Sequence, residues 1–281
     1  MLQSLNVLEA YDLKAMGFGS SRYLHHVAET LRRAFADRAR YLGDPAFVDV
    51  PVARLISKGY AAELRRTILE GKASVSSPAS FEWPAESDDT THFSVVDTEG
   101  GAVALTYTLE DAYGSRIVVP GAGFLLNNEM GDFNAGPGLT DATGLIGTEP
   151  NLAAPGKRML SNMTPTILVR DKRAALVVGA AGGRKIPGTV LQIVLGVVDF
   201  DMNVQEAIDA PRISHQWLPD LILHEPFGLS SDTAEALRAL GHRVEERPAG
   251  EWSRAHGIAY RDGMLEGGSD RRKPDGAAIG R

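Results

Sequence analysis

The sequence predicts an α+β protein, and three observations predict it. Helical periodicity dominates the first seventy residues, alternating apolar patterns with tight turns dominate from residue 90, and one almost wholly apolar helix follows the second hairpin. A length of 281 residues is enough to bury a substantial core.

Leu2, Leu5 and Leu8 recur every three residues, as if a helix were already under way, so the chain is expected to begin inside a longer protein. Ser20 or Ser21 is placed to cap a helix whose Leu24, Val27, Ala28, Leu31, Ala34, Phe35 and Arg38 return at helical intervals, and Gly43-Asp44-Pro45 ends it. A second helix is expected over 57–69, with Tyr60, Leu64 and Ile68 on one face. Residues 71–89 are rich in Ser, Pro, Glu and Asp and lack periodicity, which reads as an exposed polar linker.

The linker runs into Asp89-Thr90-Thr91-His92-Phe93-Ser94-Val95-Val96-Asp97, where an alternating strand begins. It returns across Glu99-Gly100-Gly101 into 102–109, giving a buried hairpin with Phe93 and Val95 on one side. An apolar run follows over 117–126, then the amide- and carboxylate-rich Asn127-Asn128-Glu129-Met130-Gly131-Asp132-Phe133, and then a Gly/Pro-rich loop over 134–155 that reads as a lid or surface excursion. Strands over 166–169 and 174–178 turn at Asp171-Lys172-Arg173 and end in Gly182-Gly183, ahead of an apolar helix reaching about residue 198. Asn203 with Glu206 is a capping box, Ser230 or Ser231 opens a helix that stops at Gly241, and Arg261-Asp262-Gly263 joins the last two strands.

Composition narrows the function classes. With 29 basic against 36 acidic residues the net charge is −7, without the basic patches of a nucleic-acid binder. No apolar run is long enough for a transmembrane helix, no signal peptide is recognisable, and the chain reads as soluble as given. Zero cysteines exclude a thiolate nucleophile and thiolate metal ligands, and the seven histidines form no tight ligand pattern. His25 and His26 are neighbours on one helix and point apart. No cofactor and no metal are expected.

Several residues carry possible chemistry, each with a plain structural reading beside it. Cleavage before Thr90 would leave an amine and a hydroxyl on one residue, base and nucleophile together; otherwise the two threonines are β-formers or caps. Glu110, Glu129 and Asp132 would make an acidic pocket for an ammonium, or are solvated turn groups. Gly182-Gly183 exposes backbone amides suited to an oxyanion hole, or is a tight turn. His215 and Trp217 line a pocket or pack in the core.

Together these stretches resemble the gamma-glutamyltransferase family of N-terminal-nucleophile hydrolases. The resemblance rests on 90–97, on Thr106-Tyr107-Thr108-Leu109, on 125–133, on Pro155-Gly156-Lys157-Arg158 with Ser161, on Gly182-Gly183, and on Asp209-Ala210-Pro211-Arg212. It runs over nearly the whole chain, with 1–89 resembling the end of the large subunit plus a processing linker and 90–281 the whole small subunit. It implies a four-layer αββα sandwich to which both regions contribute, and a precursor that cuts itself between Asp89 and Thr90. By the same resemblance Thr90 is the nucleophile, Thr108 its hydrogen-bonding support, and Gly182 and Gly183 the oxyanion pair. Glu129 and Asp132 then hold a substrate α-ammonium, with Glu110 beside them, and Ser161 with Asn162 faces the α-carboxylate.

The implied reaction passes the γ-glutamyl group of glutathione or another γ-glutamyl compound to water, an amino acid or a dipeptide. The large-subunit remainder is the implied partner, and family precursors are often exported. A dicarboxylic-acyl amide acylase and a non-catalytic remnant or subunit of a split assembly are the alternatives. Two positions depart from the family pattern: Glu110 stands where Asn is frequent, and Asn162 where a second Ser is usual. The arginine that clamps the substrate carboxylate in the family belongs to large-subunit sequence outside this chain.

Overall fold

A computed structural model of the chain describes residues 1–77, 90–134, 136–137, 146–273 and 276–280. In chain order the helices are α1 (Leu2–Leu8), α2 (Leu13–Met16), α3 (Ser21–Tyr41), α4 (Val52–Leu55), α5 (Lys58–Arg65), α6 (Ile186–Val198), α7 (Val204–Asp209) and α8 (Ser231–Ala239). The strands are β1 (Thr90–Val96), β2 (Ala102–Thr108), β3 (Thr166–Arg170), β4 (Arg173–Ala181), β5 (Ile213–Ser214), β6 (Ile222–His224), β7 (Val244–Glu246), β8 (Arg254–Arg261) and β9 (Met264–Ser269). Contacts group them into two units.

The first unit comprises Met1–Ala85, Glu129–Ser161 and Ile213–Arg247. Its axis is α3, capped by Ser20, whose hydroxyl accepts from the Tyr23 amide at 3.1 Å. The expected apolar stripe is present, but the first half of α3 is buried all round, so His25, His26, Glu29 and Arg32 are inside as well. α1 packs on α3 and α5, and Val7, Ala61 and Ile68 share a small core with Tyr11 and Leu64. α5 starts at its Ser57 cap but stops at Arg65, short of the expected residue 69. A three-stranded sheet, β5-β6-β7, and helix α8 complete the unit.

Two expectations change here. The stretch after Gly71 is not a linker from its start: Ala73 and Ser76 are buried, and the Ala73 amide bonds the Leu240 carbonyl at 2.7 Å. Ser74 donates its amide and hydroxyl to Glu29 at 3.1 and 2.5 Å, and the Ser76 amide donates to Asp220 at 2.7 Å. Serines that look solvated in the sequence are partners for a buried carboxylate, Glu29, and a half-buried one, Asp220, and only 78–89 of the expected linker lies outside the described residues. Likewise the described ends of the Gly/Pro-rich loop are partly inside, although 153–155 are exposed and 138–145 lie outside the described residues. Asn134, Ile146 and Asn151 are buried, and the Thr148 hydroxyl donates to the Ala39 carbonyl on α3 at 2.5 Å.

The second unit comprises Glu86–Asn128, Asn162–Arg212 and Pro248–Arg281. Its main sheet is antiparallel in the order β3-β4-β8-β9. Turns at Asp171-Lys172 and Asp262-Gly263 place both central residues at positive φ, matching the right-handed twist of a two-residue hairpin. α6, introduced by Pro187, and α7, with the full Asn203/Glu206 capping box, pack on this sheet.

β1 and β2 form a separate antiparallel pair that packs on β4 and β8. Strand alternation tells the faces apart. Gly257, register partner of Val178, lies against Val204 of α7, whereas the next residue of β4, Gly179, lies under the ring of His92 on β1. Helices therefore cover one face of the sheet and the β1-β2 hairpin the other, in α, β, β order.

The hairpin corrects a third expectation. It turns its polar face, with His92, Ser94 and Thr106, toward β4, and its apolar face outward. Phe93, Val95, Val103, Leu105 and Tyr107 are 38 to 57% exposed, so the hairpin is buried on one side only. The polar face can be the inner one because its groups hydrogen-bond among themselves and to β4.

Candidate active site

Thr90 is the first residue of β1 and lies directly opposite Thr108, the last residue of β2. Facing residues on neighbouring antiparallel strands bring their Cβ atoms to roughly 5 Å, within reach of a hydroxyl–hydroxyl contact. The Thr108 hydroxyl accepts the Glu110 amide at 2.8 Å. Glu110 itself takes a positive φ of 75°, uncommon for a carboxylate residue, where the chain leaves β2. Asp89 lies outside the described residues, and with it the expected scissile bond.

Gly182 and Gly183 follow β4, and a single 3₁₀ turn, Gly183–Lys185, carries the chain into α6. Gly182 has φ 132°, and a Cβ there would lie 2.5 Å from the Ser253 hydroxyl, so the position demands glycine on both counts. Ser253 is fully buried, and its carbonyl accepts from Arg212 at 3.0 Å. Arg212 in turn pairs with Asp270 at 2.9 Å, and Asp270 also accepts Arg272 and the Ala255 amide, each at 3.0 Å. Burial alone would raise the Asp270 carboxyl, but Arg212 and Arg272 outweigh it and hold it below its ordinary value. Arg212 was legible as part of a motif; its partner Asp270 and the buttress Ser253 carried no local signal.

His92 bonds Thr106 Oγ1 through Nδ1 at 2.8 Å and Ser94 Oγ through Nε2 at 3.1 Å. Burial, with a smaller contribution from His256, lowers its pKa to about 4, so the ring is neutral at ordinary pH. Asn162 also belongs to this unit, and its carbonyl accepts the Thr164 hydroxyl at 3.0 Å.

Glu129, Asp132 and Ser161 belong to the first unit. Glu129 and Asp132 open and close one 3₁₀ turn, Glu129–Asp132, and hydrogen-bond each other. Burial raises the Asp132 carboxyl against the opposing effects of Glu129 and Arg38. Asn151 fixes the turn by donating to the Asp132 carbonyl at 2.7 Å, and its Oδ1 accepts the Leu160 amide at 3.0 Å beside Ser161. Arg158 grips Asp44 through its amide at 2.9 Å and its guanidinium at 2.7 Å, which holds the Asp44 carboxyl well below the usual range. Asn151 and Asp44 thus hold in place the turn at Asp132 and the segment around Arg158; the sequence marks Asp44 only as part of a helix end and gives Asn151 no signal.

His215, left open between pocket and core, is buried, and its Nε2 lies 3.3 Å from Asp220. His25, Glu29 and His242 are the one group among the described residues arranged closely enough for a metal ion. Most of their ligand atoms are already engaged, His242 Nδ1 excepted. His25 bonds His242 at 2.8 Å and the Leu69 carbonyl at 2.9 Å, while Glu29 accepts from Arg32, Arg33 and Ser74. Two guanidinium groups beside the carboxylate make the site a poor home for a dication.

A family model described as Gamma-glutamyltranspeptidase matches residues 1–280. The glutathione hydrolase proenzyme of Escherichia coli K12 is 45% identical over 283 residues, covering 100% of this chain and 48% of that protein. An Acylase ACY 1 proenzyme of Pseudomonas sp. SE83 is 39% identical over 246 residues, covering 88% of this chain and 41% of the relative. A crystal structure of a Helicobacter pylori gamma-glutamyltranspeptidase mutant superposes with a TM-score of 0.60 at 42% identity, covering 65% of this chain and 100% of that one. The chain spans about half the length of the curated relatives it matches. Its helical and sheet layers match the αββα sandwich of N-terminal-nucleophile hydrolases. With a family model matched from end to end and near relatives across the full sequence, the chain belongs to the gamma-glutamyltranspeptidase family.

Proposed function

We propose that this chain carries the nucleophile and most of the donor-substrate pocket of a gamma-glutamyl acyltransferase and glutathione hydrolase. The observation that carries the reading is Thr90 at the head of β1, opposite Thr108, in a chain that the family model matches throughout. In maturation the Thr90 hydroxyl attacks the Asp89 carbonyl, the amide nitrogen leaves as the new terminal amine, and water hydrolyses the resulting ester. The products are 1–89 and 90–281, the end of the large-subunit region and the small subunit.

In turnover the Thr90 amine takes the hydroxyl proton while the oxygen attacks the γ-carbonyl of the donor. An amine of this kind titrates near pH 8, close enough to neutral to act as a base. Thr108 orients the nucleophile and the Gly182 and Gly183 amides receive the oxyanion. Collapse expels the amine product with a proton returned from the Thr90 ammonium, leaving a γ-glutamyl ester. Water, an amino acid or a dipeptide then resolves it by the same steps. Glu129 and Asp132, with Glu110, take the α-ammonium of the donor, and Ser161 and Asn162 give neutral donors to its α-carboxylate.

The partner in this reading is the remainder of the large subunit. Two facts support it: the chain spans half the length of its relatives, and the hairpin presents an exposed apolar face of five side chains. No described helix is long and apolar enough to cross a membrane. The 39% identical acylase keeps a second reading in view, a dicarboxylic-acyl amide as donor.

Intact-mass analysis with the large-subunit region restored tests the proposal. A 192-residue fragment beginning at Thr90 is expected, and Thr90→Ala should abolish both cleavage and turnover of a γ-glutamyl anilide. Retained turnover in Thr90→Ala would refute it.

A further inference from the structure

His92 lies two residues after Thr90 on the same face of β1, and Gly179 lies three residues before Gly182 on and after β4. The imidazole sits directly on the Gly179 backbone. A Cβ at Gly179 would meet Cε1 at 2.2 Å, Nδ1 at 2.4 Å and Nε2 at 2.8 Å. No side chain at 179 is compatible with the ring where it is, which gives this strand glycine a reason of its own.

The hydrogen bonds around the ring have one consistent direction. Ser94 Oγ lies 3.3 Å from the Val177 carbonyl, which can only accept, so the Ser94 hydroxyl donates there. Ser94 Oγ then receives the Nε2 hydrogen of His92, and the bare Nδ1 accepts the Thr106 hydroxyl. The chain of bonds begins on β2, crosses β1 and ends on β4. The neighbouring titratable group is His256 on β8, the register partner of Gly179, and a second positive charge is disfavoured beside it.

We propose that His92 is a positioning residue: its imidazole, seated on Gly179, keys the nucleophile hairpin into β4 and thereby sets Thr90 against the Gly182-Gly183 amides. The proposal rests on the function given above. The hairpin has only two strands, and a pair of strands holds its place poorly unless its face is fixed to something else. The key supplies that fixing on the rung next to the nucleophile, from the strand that continues into the oxyanion glycines.

A double-mutant cycle over His92→Ala and Gly179→Ala tests it, in the precursor with its large-subunit region restored. Both kcat and KM for a γ-glutamyl anilide are measured, with melting temperature alongside. Gly179→Ala should lower kcat by roughly ten- to a hundredfold with KM within about threefold, since small misplacement of reacting groups is costly. In the His92→Ala background the same methyl should cost almost nothing, because the ring it displaces is gone. An equal penalty in both backgrounds overturns the proposal, as does a lowered melting temperature with unchanged kcat.

Ring-nitrogen NMR of His92 decides the matter if Gly179→Ala does not fold, and it needs no turnover. An Nε2–H tautomer with no titration between pH 5 and 8 is expected, and the Nδ1–H tautomer overturns the network. Thr90→Ala assayed in parallel separates the two levels. Activity there defeats the functional reading, whereas loss there with an additive cycle defeats only the key.

Discussion

Replacing Glu29 by glutamine should destabilise the first unit by about 3 kcal/mol at neutral pH. The Glu29 side chain is fully buried on α3 and faces Arg32 at 3.2 Å and Arg33 at 2.7 Å, with Ser74 donating to both carboxylate oxygens. Burial by itself would raise its pKa, but the Ser74 bond and the two guanidinium groups outweigh it and bring it from 4.5 to about 2. A carboxyl held lower in the folded than in the unfolded chain stabilises the fold above its unfolded pKa. That stabilisation is lost as pH falls through the folded value. Two and a half pH units correspond to about 3 kcal/mol.

Glu29→Gln keeps the shape and removes the charge, so the parent should exceed it by that amount at pH 7. The gap should narrow between pH 4.5 and 2 and close below, since the parent carboxylate is protonated there. Urea titrations of both proteins at a series of pH values measure it. A gap that stays constant from pH 7 to pH 2 would refute the ionic account and leave only lost packing or hydrogen bonding.

The remaining predictions concern the site. Thr108→Ala should leave a slow enzyme, with a barrier raised by about 1 to 3 kcal/mol, because it removes one orienting hydrogen bond while the nucleophile stays; steady-state kcat reports this. Asp132→Ala should depress kcat/KM for a γ-glutamyl amide far more than for the glutaryl amide that lacks the ammonium, at a cost of about 2 to 5 kcal/mol. Equal losses on both would make Asp132 structural, and a parent preference for the glutaryl amide would favour the acylase reading. Because burial raises the Asp132 carboxyl, donor binding should strengthen as pH rises through that raised value, and Asp132→Asn should flatten this limb of the kcat/KM profile. Asp270→Ala should cost about 3 to 5 kcal/mol of stability, measured by denaturant titration, since it leaves the buried Arg212 guanidinium without its counter-charge.

Much of this was legible in the letters wherever the physics is local. Ser20, Asn203 with Glu206, and the Asp171-Lys172 and Asp262-Gly263 turns each act within four residues, and each stands where the sequence puts it. The link between Thr90 and Thr108 was legible only through the family resemblance, and the structure sets the two residues opposite each other on β1 and β2. The face of that hairpin was not legible. Alternation tells two faces apart but not which is inward, and here hydrogen bonds from His92 and Ser94 to their neighbours make the polar one the inner face. Partners distant in sequence were equally hidden. Nothing near Asp270 announces Arg212, nothing near Asp44 announces Arg158, and nothing in the serines after Gly71 announces Glu29 or Asp220.

Those serines have a consequence for maturation. Ser76 is moored to Asp220, and thirteen residues, 77–89, separate it from Thr90. In the proposed maturation the end created before Thr90 stays joined to Ser76, by no more than about 45 Å of extended chain. The cut would then leave that end anchored through Ser76 to Asp220 instead of released from the protein.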